Sequence, residues 1–179
     1  MVGLLKKKRP VNGFDPASLL EGDNRMGILT DDMKRIVREQ RLGFVATVCP
    51  DGTPNLSPKG TTAVWDDDHL VFADIRSPQS VQNIEHNPFV EVNVVDPLVR
   101  KGYRFKGRGV AHRADEVFQR GCQMYRDMGL TIEIRAVILI RVDRALPLIS
   151  PAYDRGKTEE QVKDRWRRYW CKLWDGIEE

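Results

Sequence analysis

Residues 43–74, GFVATVCPDGTPNLSPKGTTAVWDDDHLVFAD, decide the fold. A β-rich run reaches Asp51-Gly52, the strongest short hairpin signal, and a second extended segment follows it. Residues 61–75 repeat the device, with Asp66, Asp67 and Asp68 at the turn between two apolar runs. Strands joined this tightly, with no helix between them, pair antiparallel.

Outward from this stretch the pattern holds. On the N-terminal side, TDDMKRIVREQRLG (30–43) reads as one amphipathic helix. Thr30 is placed to cap it, Asp31 and Asp32 lie in its first turn, Met33, Ile36 and Val37 share a face, and Gly43 is placed as the stop. On the C-terminal side, FVEVNVVD (89–96) and GYRFKGRGVAH (102–112) are further strands, the second setting Tyr103 and Phe105 on one side and Arg104 and Lys106 on the other. A helix over 114–128 precedes a long last strand within TIEIRAVILIRVDRALPLI (131–149), argued from its β-branched content. The chain closes on a helix with Thr158 and Gln161 in a capping-box arrangement. Short strands on tight turns, with helices only at the margins, predict a mainly β fold, a small antiparallel barrel and not a doubly wound parallel sheet.

The 179 residues fit the usual size of one domain, roughly 100–200 residues. Residues 1–24 carry Gly, Pro, Asn and a basic cluster, Lys6–Arg9, without periodicity and read as an N-terminal arm, leaving 25–179 as the folded domain. With 41% hydrophobic residues and a net charge of +3 from 29 basic and 26 acidic side chains, the chain is apolar enough to fold and too evenly charged to demand a nucleic-acid partner. Cys49, Cys122 and Cys171 are far apart and form neither a disulfide framework nor a zinc knuckle, which suits a reducing cytoplasm. No run approaches the about 18 apolar residues of a membrane span. His69, His86 and His112 are scattered without metal-ligand spacing, so no metal is expected. Neither a G-x-S-x-G elbow nor a Walker loop occurs.

The chemistry concentrates in IRSPQSVQNIEHNP (75–88), where a strand turns into a helix. Ser77 is placed at the N-cap, Pro78 at the first helical position, and Pro88 limits the far end. The hydroxyls of Ser77 and Ser80, the amide of Gln79 and the charge of Arg76 gather at the positive end of that helix. A helix terminus contributes about 0.3–1 kcal/mol to an anion and each hydrogen bond to a charged group about 1.5–3 kcal/mol, enough together to hold a phosphate monoester. On its own the segment reads better as a well-capped helix with a solvent-facing arginine, because serine and proline at helix starts are common. Ser57–Val64 is also unusual, because Gly60 packs nothing and Pro58 donates no hydrogen bond.

The order of helix, DG-x-PNLSP, strand ending near Asp74, SPQSVQNI and NP, followed by GYRFKGRGVAH, resembles the pyridoxamine 5′-phosphate oxidase-like, FMN-binding split-barrel family. The resemblance runs from Thr30 to His112 and loosely to Gly156. It implies a split antiparallel β-barrel, FMN as cofactor and a homodimer whose flavin sites draw on both chains. It places the flavin phosphate at the turn of Asp74, Arg76, Ser77, Gln79 and Ser80. The strand Ser57–Val64 is then set along the isoalloxazine ring, with Lys59, Gly60, Thr61 and Thr62 bordering it and cationic Lys59 near the pyrimidine end. Tyr103 is implied as a contribution from the other subunit. Many members carry lysine or arginine where Gln79 and Ser80 stand, which leaves Arg76 as the compensating charge.

The implied activity is hydride or electron transfer at the flavin, on an unidentified small-molecule substrate or electron donor, with no general acid required of the protein. The R-x-H-type C-terminal motif of the vitamin B6 enzyme is absent from DRWRRYWCKLWDGIEE (164–179), so that enzyme itself is not expected. A flavin carrier without turnover, and a barrel binding deazaflavin or haem, are the alternatives. The last helix aligns Val162, Trp166, Tyr169, Trp170 and Leu173 in a stripe, read as a docking surface for the barrel, the flavin edge or a second subunit.

Overall fold

The computed structural model describes residues 27–175; the N-terminal arm and its basic run lie outside them. The first helix, α1 (Asp31–Gln40), is capped as its sequence dictates: the Thr30 hydroxyl accepts from the Met33 N–H at 3.4 Å, and Ile36 and Val37 are buried. It stops at Gln40, three residues before Gly43. Arg41 takes the left-handed conformation (φ 53°) and its N–H closes on the Val37 carbonyl at 3.1 Å. Gly43 instead begins β1 (Gly43–Val48), where an added Cβ would stand 2.5 Å from Thr62 Oγ1. Its glycine serves close packing, not helix termination.

The hairpin from β1 to β2 (Pro54–Lys59) turns at Gly52 with φ +84°, and the Asp51 carboxylate accepts from the Thr53 N–H and hydroxyl at 3.0 and 2.6 Å. The second hairpin joins β3 (Ala63–Val64) to β4 (His69–Asp74), its turn fixed by Asp66, whose carboxylate accepts from the N–H groups of Asp68 and His69. Ser57–Val64 is therefore not one strand. The chain breaks at Gly60 and Thr61, because the Thr62 N–H and hydroxyl both turn back to the Lys59 carbonyl, at 3.2 and 2.8 Å.

The second helix, α2 (Pro78–His86), leads to β5 (Phe89–Asp96) and β6 (Lys101–His112). The third, α3 (Glu116–Asp127), is capped by Asp115 and leads to β7 (Ala136–Ile149). The last strand starts five residues later than its β-branched run suggests, since its pairing begins only at Ala136, opposite Asp74. The seven strands of the described residues form one antiparallel sheet in the order β2-β1-β5-β6-β7-β4-β3, curled into a split barrel. The short turn at Gly60 connects its two edge strands.

Alternation along the strands builds two cores. Leu70 and Phe72 of β4, Ile138 and Ile140 of β7, and Val92 and Val94 of β5 fill the barrel together with Ile36 of α1 and Val81 and Ile84 of α2. The alternate residues Val71, Ala73, Val137 and Leu139 face outward and are covered by Tyr125 and its neighbours on α3. Burial on both faces is why β4 reads as six consecutive buried positions with no polar alternation.

In the final helix, α4 (Glu159–Asp175), the capping box forms in both directions between Thr158 and Gln161, at 3.2 and 3.3 Å. Only its first turns dock. Val162 is buried and Trp166 lies under the Arg100 guanidinium at 3.4 Å, whereas Tyr169, Trp170 and Leu173 remain exposed. Among the described residues no helix is long and apolar enough to cross a membrane.

Candidate functional site

The register of β1 and β2 decides where Lys59 goes. Lys59 stands opposite Gly43, Ser57 opposite Val45 and Asn55 opposite Thr47, so these β2 side chains share the inward face with the barrel core. The Lys59 side chain turns towards the first turn of α2. There its ammonium donates to Ser57 Oγ at 2.6 Å, Ser77 Oγ at 2.7 Å and Ser80 Oγ at 3.2 Å. The residue is only 3% exposed, and its Nζ lies 5.6 Å from the centroid of the Phe72 ring.

Lys59, expected on one continuous strand along the ring, stands at the end of β2 with its ammonium inside the strand-to-helix turn, against Ser77, 18 residues further along the chain. Burial pushes the ammonium pKa below its ordinary value, with Asp74 partly offsetting the shift. Among the described residues no carboxylate lies within 4 Å of the ammonium.

Asp74, at the end of β4, is buried and its carboxylate accepts from the Ser77 N–H at 2.6 Å. Ser77 precedes α2 as expected, yet its hydroxyl makes no capping bond and accepts from the Lys59 ammonium. The Gln79 and Ser80 N–H groups in the first turn have no partner among the described residues, and Pro78 has none to satisfy. The cluster thus combines a buried cation, hydroxyls and a helix N-terminus. These favour an anion, whereas the Asp74 carboxylate beside them opposes one.

Arg76 is exposed at the same turn and Gln79 points along the helix, its amide donating to Asn83 Oδ1 at 2.8 Å. Asn83 is completely buried and continues the network inward, donating to Thr47 Oγ1 at 3.0 Å, which also accepts from Asn55 at 3.1 Å. This chain of polar contacts fixes α2 against β1 and β2. Sequence reasoning passed over Thr47, Asn55 and Asn83, although Asn83 stands one turn beyond Ser80 in SPQSVQNI and carried that signal.

The remaining expected residues divide. Gly60 is exposed, with no atom within 4 Å of where a Cβ would stand. Thr61 is half-buried and its hydroxyl is engaged with the Ala73 backbone. Thr62 is buried against Gly43, so its side chain serves the turn. Tyr103 lies three strands from Lys59 and its hydroxyl donates to Asp32 at 2.6 Å. Within one chain it does not join the cluster.

A sequence profile of the family described as pyridoxamine 5′-phosphate oxidase matches residues 29–146. Among solved structures, the chain is similar to HupZ of Group A Streptococcus, with 30% identity, 68% of this chain and 94% of that one covered, and a TM-score of 0.62. It shares its fold with an FMN-binding protein from Syntrophomonas wolfei subsp. wolfei, at 14% identity, 66% and 85% coverage and a TM-score of 0.58. It also shares it with an F420 reductase, at 21% identity, 65% and 98% coverage and a TM-score of 0.52. No curated protein matches the sequence.

Proposed function

Because the chain belongs to the pyridoxamine 5′-phosphate oxidase family, we propose that it binds FMN by its phosphate at the first turn of α2 and performs hydride or electron transfer on a small molecule. The observation that carries this reading is the Lys59 ammonium, buried among Ser57, Ser77 and Ser80 beside free helix N–H groups. A buried cation is costly without an anion, and the phosphate of FMN supplies one. Lys59, Ser77, Ser80 and the α2 amides would hold it, with Arg76 at the rim. Gly60 leaves open space where the flat ring can approach the backbone. When bound, the flavin supplies the redox chemistry and the protein supplies position and charge.

FMN is favoured over a deazaflavin of the F420 kind on charge. A phosphate monoester is a dianion near neutral pH, whereas the phosphodiester of F420 is a monoanion, and the cluster presents a full cation together with a helix terminus. The direct test is titration of the flavin-free protein with FMN, followed by flavin fluorescence; saturable quenching is expected, and its absence sinks the reading.

The pH dependence follows from Lys59. Its folded pKa lies below the ordinary 10.5, so the ammonium is lost from the folded protein first as pH rises. FMN affinity is expected to fall through a pH range beginning below 10.5, while the flavin-free protein gains stability over the same range, because the unfolded chain there holds the extra proton. FMN affinity that stays constant across that range contradicts the role given to Lys59.

The homodimer is part of the same proposal. The outer face of β1, β2 and β5 exposes Phe44, Leu56 and Val95, which point away from the barrel core on neighbouring strands. A second copy is the occupant this face suits, and the role given to Tyr103 is then played across the dimer. Phe44→Glu is expected to halve the mass measured by light scattering and to weaken FMN binding with it. A wild-type chain that runs as a monomer removes this part of the proposal.

A further inference from the structure

The turn between β2 and β3 is held from three sides. On α3, the Tyr125 hydroxyl donates to the Thr61 carbonyl at 2.8 Å across 64 residues of sequence, and the residue is 2% exposed. Burial pushes the phenol pKa upward, which keeps the group protonated and a donor. The N–H of the same peptide, from Thr62, donates to the Lys59 carbonyl at 3.2 Å. The Thr61 hydroxyl accepts from the Ala73 N–H at 3.0 Å, filling the place of a strand partner beside β4.

The neighbouring peptide is left free. Among the described residues neither the Gly60 and Thr61 N–H groups nor the Gly60 carbonyl has a hydrogen-bond partner, and the space above Gly60 is open. One peptide is clamped, and the next keeps both its N–H and its carbonyl unpaired, on opposite sides of the trans peptide plane. Phenylalanine would fill the same place against Val71, Ala73, Val137 and Leu139. What the phenol oxygen adds is the orientation of this turn.

We propose that Tyr125 is a positioning residue of the cofactor site, fixing through Thr61 the direction in which the free Gly60–Thr61 peptide meets the polar edge of the flavin ring. The proposal rests on the FMN reading above. It assigns to α3, which does not touch the phosphate cluster, a part in how the ring is read.

The test is Tyr125→Phe in the full chain, loaded with FMN. Binding weaker by about fivefold to tenfold is expected, the equivalent of one hydrogen bond, together with shifted visible absorption bands and an altered midpoint potential of the bound flavin. Thr61→Ala, which frees the same turn from β4 without entering the core, is expected to move the spectrum and potential likewise. A variant that melts at lower temperature yet holds FMN with wild-type affinity, spectrum and potential overturns the proposal and leaves Tyr125 a packing residue. If Tyr125→Phe does not fold, Thr61→Ala alone decides on the same readouts. Wild-type protein that takes up no FMN overturns the cofactor reading and this proposal together, whereas normal uptake with unchanged variants overturns this one only.

Discussion

Lys59→Met is expected to weaken FMN binding by about a hundredfold or more, while the flavin-free protein keeps its stability or gains some. The two effects have one cause. The ammonium is buried in the folded chain, facing three hydroxyls and, among the described residues, no carboxylate within 4 Å. In the flavin-free state it bears a desolvation cost that its partners offset only in part. Methionine keeps the length of the stem and removes that cost, and the half-buried Ser57 and Ser77 can turn to water. With phosphate present the balance reverses, since charge-assisted hydrogen bonds of about 1.5–3 kcal/mol each are lost. Thermal melts of both forms, with and without FMN, separate the effects. A methionine variant that is less stable and binds FMN as the wild type does would make Lys59 structural.

The largest effect on stability is expected at Gly107. An alanine Cβ there would stand 2.0 Å from the Arg141 carbonyl oxygen and 2.9 Å from its carbon, at the bulge where the β6–β7 register shifts. The obstacle is backbone on a neighbouring strand, which cannot rotate aside as a side chain can. Gly107→Ala is expected to cost about 3 kcal/mol or more, read from urea unfolding, because the longest pairing in the barrel must part to admit it. Gly52→Ala is the informative contrast: nothing lies within 4 Å of its Cβ, and only its positive φ of 84° resists. Its cost should be closer to 1 kcal/mol, on the order of a single strained turn residue. An equal loss in the two variants would contradict the close approach at Gly107.

The hairpins at Asp51-Gly52 and Asp66–Asp68 were legible because turn residues and alternating runs act over a few positions. So were the Thr30 cap and the Thr158–Gln161 capping box, each complete within four residues. The site was legible only as far as such local signals reach. Asp74, Ser77 and Ser80 could be placed at the turn, and SPQSVQNI carries them in order. The destination of Lys59 could not be read, since its stem spans from β2 to α2 and no periodicity records which neighbour a long side chain meets. The same holds for Tyr125 and Thr61, joined over 64 residues. Gly43 was misread because a glycine after a helix suggests a stop, whereas its reason lies in Thr62, brought close only by the finished barrel. Arg76 was expected to make up for the uncharged Gln79 and Ser80, and Lys59, 17 residues upstream of it, brings a second cation to the same turn.

A phosphate site at the buried cluster of Lys59, Ser77 and Ser80 makes the flavin phosphate the chief source of affinity. Parallel titrations of the flavin-free protein with FMN and with riboflavin, which differ only in that phosphate, test it most directly. Tight, saturable binding of FMN with riboflavin weaker by about a hundredfold is expected. Equal affinity for the two flavins, or no binding of either, would contradict it.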